Sequence, residues 1–404
     1  MQNFIEWRPE IAPHLPFQHW QTPERDIAFF CDLHADAEAF LRSLKQGGLV
    51  QTTSRVDCLE LTEYGRRTQI IIGGDMFDKG PSTLVLLRMI NQLLQLKPDT
   101  ILLAGNHDIR FLAGILALDH QHNPLQSHFF ARMGKKAIGL LSDIYREWGE
   151  HPTPNHQACF VDAYWPKAFK KAAIEHLPKS LIKKEIKQLH KKQADMHQAW
   201  CKRFEEADAL KHAISWAQHL FLDPQGEFGA FFKNLKLLHC EGSFLFSHAG
   251  IDDTLAQRLQ SEGQDAINQD FQDHLTDGKL FELYYGALGN AFRTKYRKYD
   301  WPFSADGAHC LRSQNIFALV NGHRHHLTGQ QIFVRNGLLN FECDTQLNAN
   351  CRKKDAIQTP GWGVTIFSSD GAVKAFSSDY PQPKWFHPHF WMEDHGQKHT
   401  HLRA

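Results

Sequence analysis

Five short segments of this 404-residue chain each place a metal-binding type of side chain just after a short apolar run. They are Asp32-Leu33-His34, Gly74-Asp75-Met76-Phe77-Asp78-Lys79-Gly80, Gly105-Asn106-His107-Asp108, Ser247-His248-Ala249-Gly250 and Gly322-His323-Arg324-His325. The runs before them are Asp26–Cys31, Gln69–Ile72, Thr100–Ala104, Phe244–Phe246 and Ile316–Val320. These runs are apolar nearly throughout and end at a polar or glycine turn, as strands covered on both faces do. Such strands predict an α/β chain whose ligands gather at the carboxyl ends of a sheet.

The residue types indicate the chemistry. Oxygen ligands mixed with imidazoles, with no cysteine among them, suit Mn, Fe or Zn better than a structural zinc knot. Asp32 and His34 have alternate spacing, so on an extended chain both would point toward one ion. Asp75 could bridge two ions through its two oxygens, and Asn106 offers a neutral carbonyl. His248 and His323 supply imidazole nitrogens from later strands. His107 directly follows Asn106 and would point differently. It is better placed to meet a substrate, where a protonated ring could act as general acid. Asp78 could hold that ring's tautomer, as carboxylates orient catalytic histidines. The plainer reading of Asp78 is a cap for a helix starting near Pro81-Ser82.

Composition narrows the setting. Lys plus Arg (45) balance Asp plus Glu (45), so charge gives no hint of nucleic acid or anionic membrane as partner. An apolar fraction of 42% allows a sizeable core. The eight cysteines are scattered without a C-x-x-C pair, which reads as free, mostly buried thiols in a reducing compartment. Residues 1–20 contain charges and prolines and no continuous apolar stretch, and no segment reaches the length of a membrane span. The expectation is a cytoplasmic protein. Its oligomeric state is left open.

Helical spacing fills Ala35–Gln46 and Thr83–Gln95. After residue 330, Leu338–Asp344, Gly363–Phe367 and Ala372–Phe376 read as successive strands, with Ser369-Asp370-Gly371 as a hairpin turn between the last two. An antiparallel β region is therefore expected to close the core. The middle of the chain, from about Phe111 to Phe232, has no motif. Pro166–Leu177 and Ser180–Phe221 look helical, and Pro178 breaks them apart. This part is rich in lysine, from Lys167 to Lys192, which reads first as a solvated helix face and second as a substrate-selecting arm. The expected division is 1–110 and 233–380 as catalytic core, 111–232 as a largely helical insertion, and 381–404 as an extension rich in His and aromatics. That extension carries His387, His389, His395, His399 and His401, and its aromatics are expected to pack on the core.

Taken together, the motifs D-x-H, G-D-x-x-D-[RK]-G, G-N-H-[DE], H-A-G and G-H resemble those of the calcineurin-like metallophosphoesterases. Gly74–Gly80 with Gly105–Asp108 is most similar to the phosphoprotein phosphatase branch, which includes the serine/threonine phosphatases. Ser247–Ile251 is similar to bacterial diadenosine tetraphosphatase relatives. The resemblance covers about residues 26–110 and 240–375. It implies a β-sandwich flanked by helices, a four-layer α/β/β/α fold, with two divalent metals at one sheet end and here an inserted helical arm. By motif match, Asp32, His34 and Asp75 would hold the first ion, and Asp75, Asn106, His248 and His323 the second. His107 would be the acid and Asp78 its partner.

Three departures stand out. Lys79 replaces the branch's usual arginine, so a fork on phosphate becomes a point charge. Asp108 replaces the usual glutamate. His325 makes a G-H-x-H, whose second histidine joins the first metal in the wider superfamily. A further phosphate clamp is expected from Arg293, with Arg297 and Arg110 as other candidates, because arginine forks match phosphate oxygens. The plainer reading of Phe292–Tyr299 is a surface basic cluster.

The resulting expectation is a metal-dependent phosphomonoesterase acting on a phosphorylated protein or small molecule, with Mn favoured. Its alternatives are a dinucleoside polyphosphate hydrolase and a partner-binding protein on the same scaffold.

Overall fold

The computed structural model describes residues 5–6, 19–120, 122–154, 165–204 and 208–388. Its strands in chain order are β1 (Ile5–Glu6), β2 (Ile27–Phe30), β3 (Gln69–Ile72), β4 (Ile101–Leu103), β5 (Leu235–Lys236), β6 (Leu238–Glu241), β7 (Phe244–Ser247), β8 (Ala318–Asn321), β9 (Gln331–Arg335), β10 (Leu338–Glu342), β11 (Gly363–Phe367), β12 (Val373–Ser377) and β13 (Tyr380–Phe386). One sheet has the order β1-β13-β12-β11-β2-β3-β4-β5, and the other β6-β7-β8-β10-β9. All five apolar runs that precede the motif segments are strands: β2, β3, β4, β7 and β8.

Strand alternation divides the core. In β2 and β3, Phe29 and Ile71 turn toward the other sheet and meet Phe246, Phe341 and Phe367. Ala28, Phe30, Ile70 and Ile72 turn outward, onto helices that contribute Phe40, Leu44, Leu87 and Ile90. The inner seam is aromatic, with Phe29–Phe246 ring centroids 5.7 Å apart and Phe244–Phe367 4.8 Å apart. Each fully buried phenylalanine there contributes about 1.5–3 kcal/mol. Leu245 and Leu319 on the outer face of the second sheet join Leu255, Leu259 and Leu311 of the helices Asp253–Thr276 and Ala305–Ser313. The layers are therefore helix, sheet, sheet, helix, as expected of the metallophosphoesterase fold.

Parallel pairing carries the motifs to one edge. β2, β3 and β4 run parallel in the first sheet, as do β7 and β8 in the second. The closing β region differs from expectation. β10 runs parallel to β8 in the second sheet, whereas β11 and β12 form an antiparallel hairpin in the first. The hairpin follows from local turn chemistry: Gly371 lies at φ 96° and its N–H donates to the Ser368 carbonyl at 2.9 Å. Which sheet an isolated strand joins is settled by contacts far along the chain, which local pattern does not encode.

The middle of the chain is helical through most of its described residues. The helices Asn106–Leu116, Phe129–Met133 and Ile138–Trp148 lead to Trp165–Ala173, Lys179–Cys201 and Ala209–Leu222. Pro178 directly precedes Lys179–Cys201, in keeping with its expected role as a breaker. Lys183, Lys184, Lys187 and Lys191 are exposed, as a solvated face requires. The segment docks on the motif loop through Phe77, whose ring lies 5.4 Å from Phe111, 5.7 Å from Phe221 and 5.7 Å from Phe232.

In the C-terminal extension, Phe386 of β13 packs 5.6 Å from Phe341, as expected of its aromatics. His389, His395, His399 and His401 lie outside the described residues, as does Cys159. Among the described residues the cysteines are free, but only Cys31 and Cys343 are buried, and Cys58 and Cys201 are exposed. No described helix is long and apolar enough to cross a membrane.

Candidate metal centre

The motif loops leave their strands through left-handed backbone. Asp32 (φ 53°), His34 (φ 43°), Asp75 (φ 55°), Asp78 (φ 72°), Lys79 (φ 70°) and His323 (φ 67°) all adopt it without being glycine. Each such residue costs about 1–3 kcal/mol and persists only where its surroundings hold it. Asp32 and His34 therefore do not share the site by strand alternation, as their spacing suggested. A tight turn brings them together.

Two devices hold these turns. The first is a backbone zip between loops: Asp32 N donates to Gly74 O at 3.1 Å, His34 N to Asp75 O at 2.8 Å and Ala35 N to Met76 O at 3.0 Å. The second is Asp108, fully buried at the start of the helix Asn106–Leu116. Its carboxylate accepts from the N–H groups of Asp75 (2.9 Å), Met76 (2.8 Å), Phe77 (3.1 Å) and Gly105 (2.9 Å). The loops approach so closely that a Cβ on Gly105 would lie 2.1 Å from Asp75 N, and one on Gly322 would lie 2.1 Å from Asp32 Oδ2. The motif glycines are required by this contact.

Asp75 lies between two groups of potential ligands, His34–Asp75–His107 and Asp75–His248–His323. Its oxygens divide between them. Oδ2 is 3.8 Å from His34 Nε2 and 3.8 Å from His107 Nε2, while Oδ1 is 3.4 Å from His248 Nε2. Asp32 Oδ1 lies 3.7 Å from His34 Nε2, and Asn106 Oδ1 3.3 Å from His248 Nε2. The structure thus gathers Asp32, His34, Asp75, Asn106, His248 and His323 as their motifs suggested. It also brings His107 closer to Asp75 than expected.

The donor atoms fit divalent cations. His248 Nδ1 donates to Gly73 O at 2.8 Å, which leaves the Nε2 lone pair facing Asp75. His323 Nε2 is buried with no hydrogen-bond partner, a costly state for an imidazole that has no further role. His34 Nε2 faces the Lys79 ammonium at 2.6 Å, so its lone pair already meets a positive charge. Burial, then Lys79, pushes the His34 ring down to about 3, so it stays neutral as a ligand must. Burial and the Asp75 charge push Asp32 up to about 7. Burial would also raise Asp75, but His248, His34 and Lys79 outweigh it and hold that carboxyl below its ordinary range. Carboxylates this close need compensating positive charge.

Beside this centre stands a second arrangement. His107 Nδ1 donates to Asp78 Oδ2 at 2.7 Å. Asp78 is not the helix cap, because Ser82 caps Thr83–Leu96 instead. Arg110 Nη1 lies 3.4 Å from His107 Nδ1 and 3.7 Å from Asp78 Oδ2. Lys136 Nζ lies 3.4 Å from His107 Nε2 and 3.7 Å from Asp78 Oδ2. Burial, with Arg110 and His34, lowers the His107 pKa well below its ordinary value.

Arg293 Nε donates to Tyr284 O at 2.9 Å and its guanidinium stacks on the Tyr284 ring. Arg297 is exposed and donates to Tyr299 OH at 2.6 Å, in keeping with a surface basic cluster. His325 is exposed and belongs to neither ligand group.

Three roles were not read from the sequence. The role of Asp108 as a clamp depends on contacts between loops. Asp344 is a buried carboxyl beside Asp32, pushed up to about 7 by burial and by Asp32. It ends the apolar run of β10 as other site carboxylates end theirs, and that signal was readable. Lys136 carries no sequence signal at all.

This centre and this sandwich define a metal-dependent phosphoesterase. The calcineurin-like phosphoesterase family profile matches residues 26–197, and the chain carries that domain. The match runs through the Asp32, Asp75 and Asn106-His107 segments and on into the helical segment. No curated protein sequence matches the chain. Among solved structures, it is similar to a cold-active protein-tyrosine phosphatase of a Shewanella species, with 14% identity, TM-score 0.47, and 92% of this chain and 82% of that one covered. It is similar to a protein serine/threonine phosphatase from Saccharomyces cerevisiae, with 12% identity, TM-score 0.40 and coverage of 89% and 82%. It is also similar to a metallophosphoesterase from Sphaerobacter thermophilus, with 10% identity, TM-score 0.27 and coverage of 92% and 94%. At these scores the three likenesses support neither fold nor substrate.

Proposed function

We propose that this protein is a phosphomonoesterase with a dinuclear centre, manganese being the favoured ion. One observation carries the reading: the two oxygens of Asp75 face two separate groups of imidazoles. A carboxylate in that position suits a bridge. Asp32, His34 and Asp75 would hold one ion, and Asp75, Asn106, His248 and His323 the other. Such ions, when bound, polarise phosphoryl oxygens and lower the pKa of water.

The remaining chemistry belongs to the chain. Asp78 fixes the His107 ring through Nδ1 and leaves Nε2 toward the substrate side. His107 is the group that hands a proton to the departing oxygen when it is protonated. An arriving phosphate favours that form, because a nearby negative charge stabilises imidazolium. Lys79 and Arg110 supply fixed positive charge around the phosphate. The free thiols support a reducing, cytoplasmic setting.

The deciding experiment is chelation followed by reloading. Metal-free protein should be inert toward an aryl phosphate. Manganese should restore turnover, with two ions per chain by elemental analysis. Full turnover in verified metal-free protein would refute the reading. A panel of phosphopeptides, aryl phosphates and dinucleoside tetraphosphates on the loaded protein then ranks substrates.

A further inference from the structure

The phosphate side of the site has a wall that no motif supplies. Lys136 belongs to the short turn Gly134–Ala137, between the helices Phe129–Met133 and Ile138–Trp148. Its ammonium converges with Arg110 on His107 and Asp78, at 3.4 Å and 3.7 Å. Lys79 stands on the other side, against His34. Three cations therefore surround this corner, and Asp78 is the carboxylate that both Arg110 and Lys136 reach. Of the arginines expected as clamps, Arg110 lies in this corner, while Arg293 and Arg297 contact tyrosines.

The turn itself is held firmly. Gly134 has φ 63°, and a Cβ there would sit 3.4 Å from Lys192 Cβ of the helix Lys179–Cys201. Lys192 Nζ donates to Arg132 O at 3.1 Å. Arg132 is buried, pairs with Glu185 of the same helix, and donates to Tyr284 OH at 3.1 Å and Tyr285 OH at 2.6 Å. The Lys136 side chain nevertheless remains 42% exposed, so a ligand can reach it.

We propose that Lys136 binds the terminal phosphate of the substrate and thereby selects dianionic phosphomonoesters over monoanionic diesters. This rests on the phosphatase reading above and names its substrate class. A monoester phosphate carries close to two negative charges at neutral pH and a diester one. A point charge attracts the dianion about twice as strongly at equal distance. Lysine suits this task, because it reads charge where arginine reads fork geometry. It also gives the helical segment a direct contact with the substrate.

The test is calorimetry on the full chain loaded with manganese, using orthophosphate and dimethyl phosphate at matched metal content. Lys136→Met should weaken orthophosphate binding roughly 10- to 100-fold, the range for one charge-assisted hydrogen bond. Dimethyl phosphate should weaken by only about 3- to 10-fold, since half the charge gains about half the energy from the same cation. Lys136→Arg should keep most of the orthophosphate affinity, and Lys183→Met, on the exposed face, should change nothing. Equal weakening of both ligands, unchanged orthophosphate affinity, or no orthophosphate binding by the wild type would each overturn the proposal. Failure of the phosphatase reading looks different. In that case the wild type hydrolyses no ester, while the Lys136 effect on orthophosphate persists.

Discussion

In the strand-end loops, one buried carboxylate, Asp108, gathers four backbone amides, and backbone bonds zip Asp32–Ala35 to Gly74–Met76. In the helical segment, the site-facing residues are held by packed rings around Phe77 and by the buried Arg132–Glu185 pair. The first region stores backbone strain and satisfies it with hydrogen bonds over a few ångströms. The second reaches the same histidine, His107, through side chains carried on docked helices. Ligand geometry in the loops is therefore stiff and local. The position of the Lys136 wall depends on how the helical segment is seated. The two regions should separate under mutation: loop changes should remove metals and chemistry, and helical changes should remove stability and anion binding.

The largest effect should come from Asp75→Asn. Loss of the shared carboxylate weakens both ions, each supplying several kcal/mol of charge stabilisation, so turnover should fall by about 10⁵-fold or more. Elemental analysis should show fewer than two metals. A variant that keeps two ions and a near-normal rate would remove the bridging role and, with it, the special status of the loops.

His107→Ala should lower kcat by about 10²–10⁴-fold, the range for a general acid, with metal content near normal. His107 also lies 3.8 Å from Asp75 Oδ2, so the variant tests which region owns it. A role as acid predicts a smaller loss on nitrophenyl phosphate than on alkyl phosphates, because a good leaving group needs no proton. Equal losses together with lost metal would assign His107 to the ligand set.

The smallest effect on chemistry should come from Glu185→Gln, which probes the helical segment alone. It removes the counter-charge of the buried Arg132, leaving only neutral partners, and should cost about 3 kcal/mol in urea unfolding. Metal content should hold, while orthophosphate binding weakens as the Lys136 turn loosens. The pH dependence has a definite sign. Burial alone would raise the Glu185 carboxyl, but Arg132 outweighs it and holds the group below its ordinary 4.5. The pair's contribution is therefore complete above pH 4.5 and disappears as the pH falls further. The gap between wild type and variant should close in acid. A gap that is constant from pH 7 to pH 3 would show that the charge pair does not seat the segment.

Much of this protein was legible one residue at a time. The apolar runs ending in Asp32, Asp75, Asn106, His248 and His323 specified buried strands and their polar ends, because period and termination are local properties. Pairing those strands in parallel leaves their carboxyl ends at one edge, where the candidate ligands converge. Pro178 and the exposed lysines were likewise readable from composition and spacing. Tertiary structure decided the rest. It bent Asp32 and His34 through left-handed turns, sent β10 and β11 to different sheets, engaged Arg293 with Tyr284, and left His325 outside the ligand groups. It also carried Lys136 to within 3.4 Å of His107. Each of these depends on contacts between residues far apart in the chain, where side-chain packing and loop-to-loop hydrogen bonds set position and local sequence pattern has no hold.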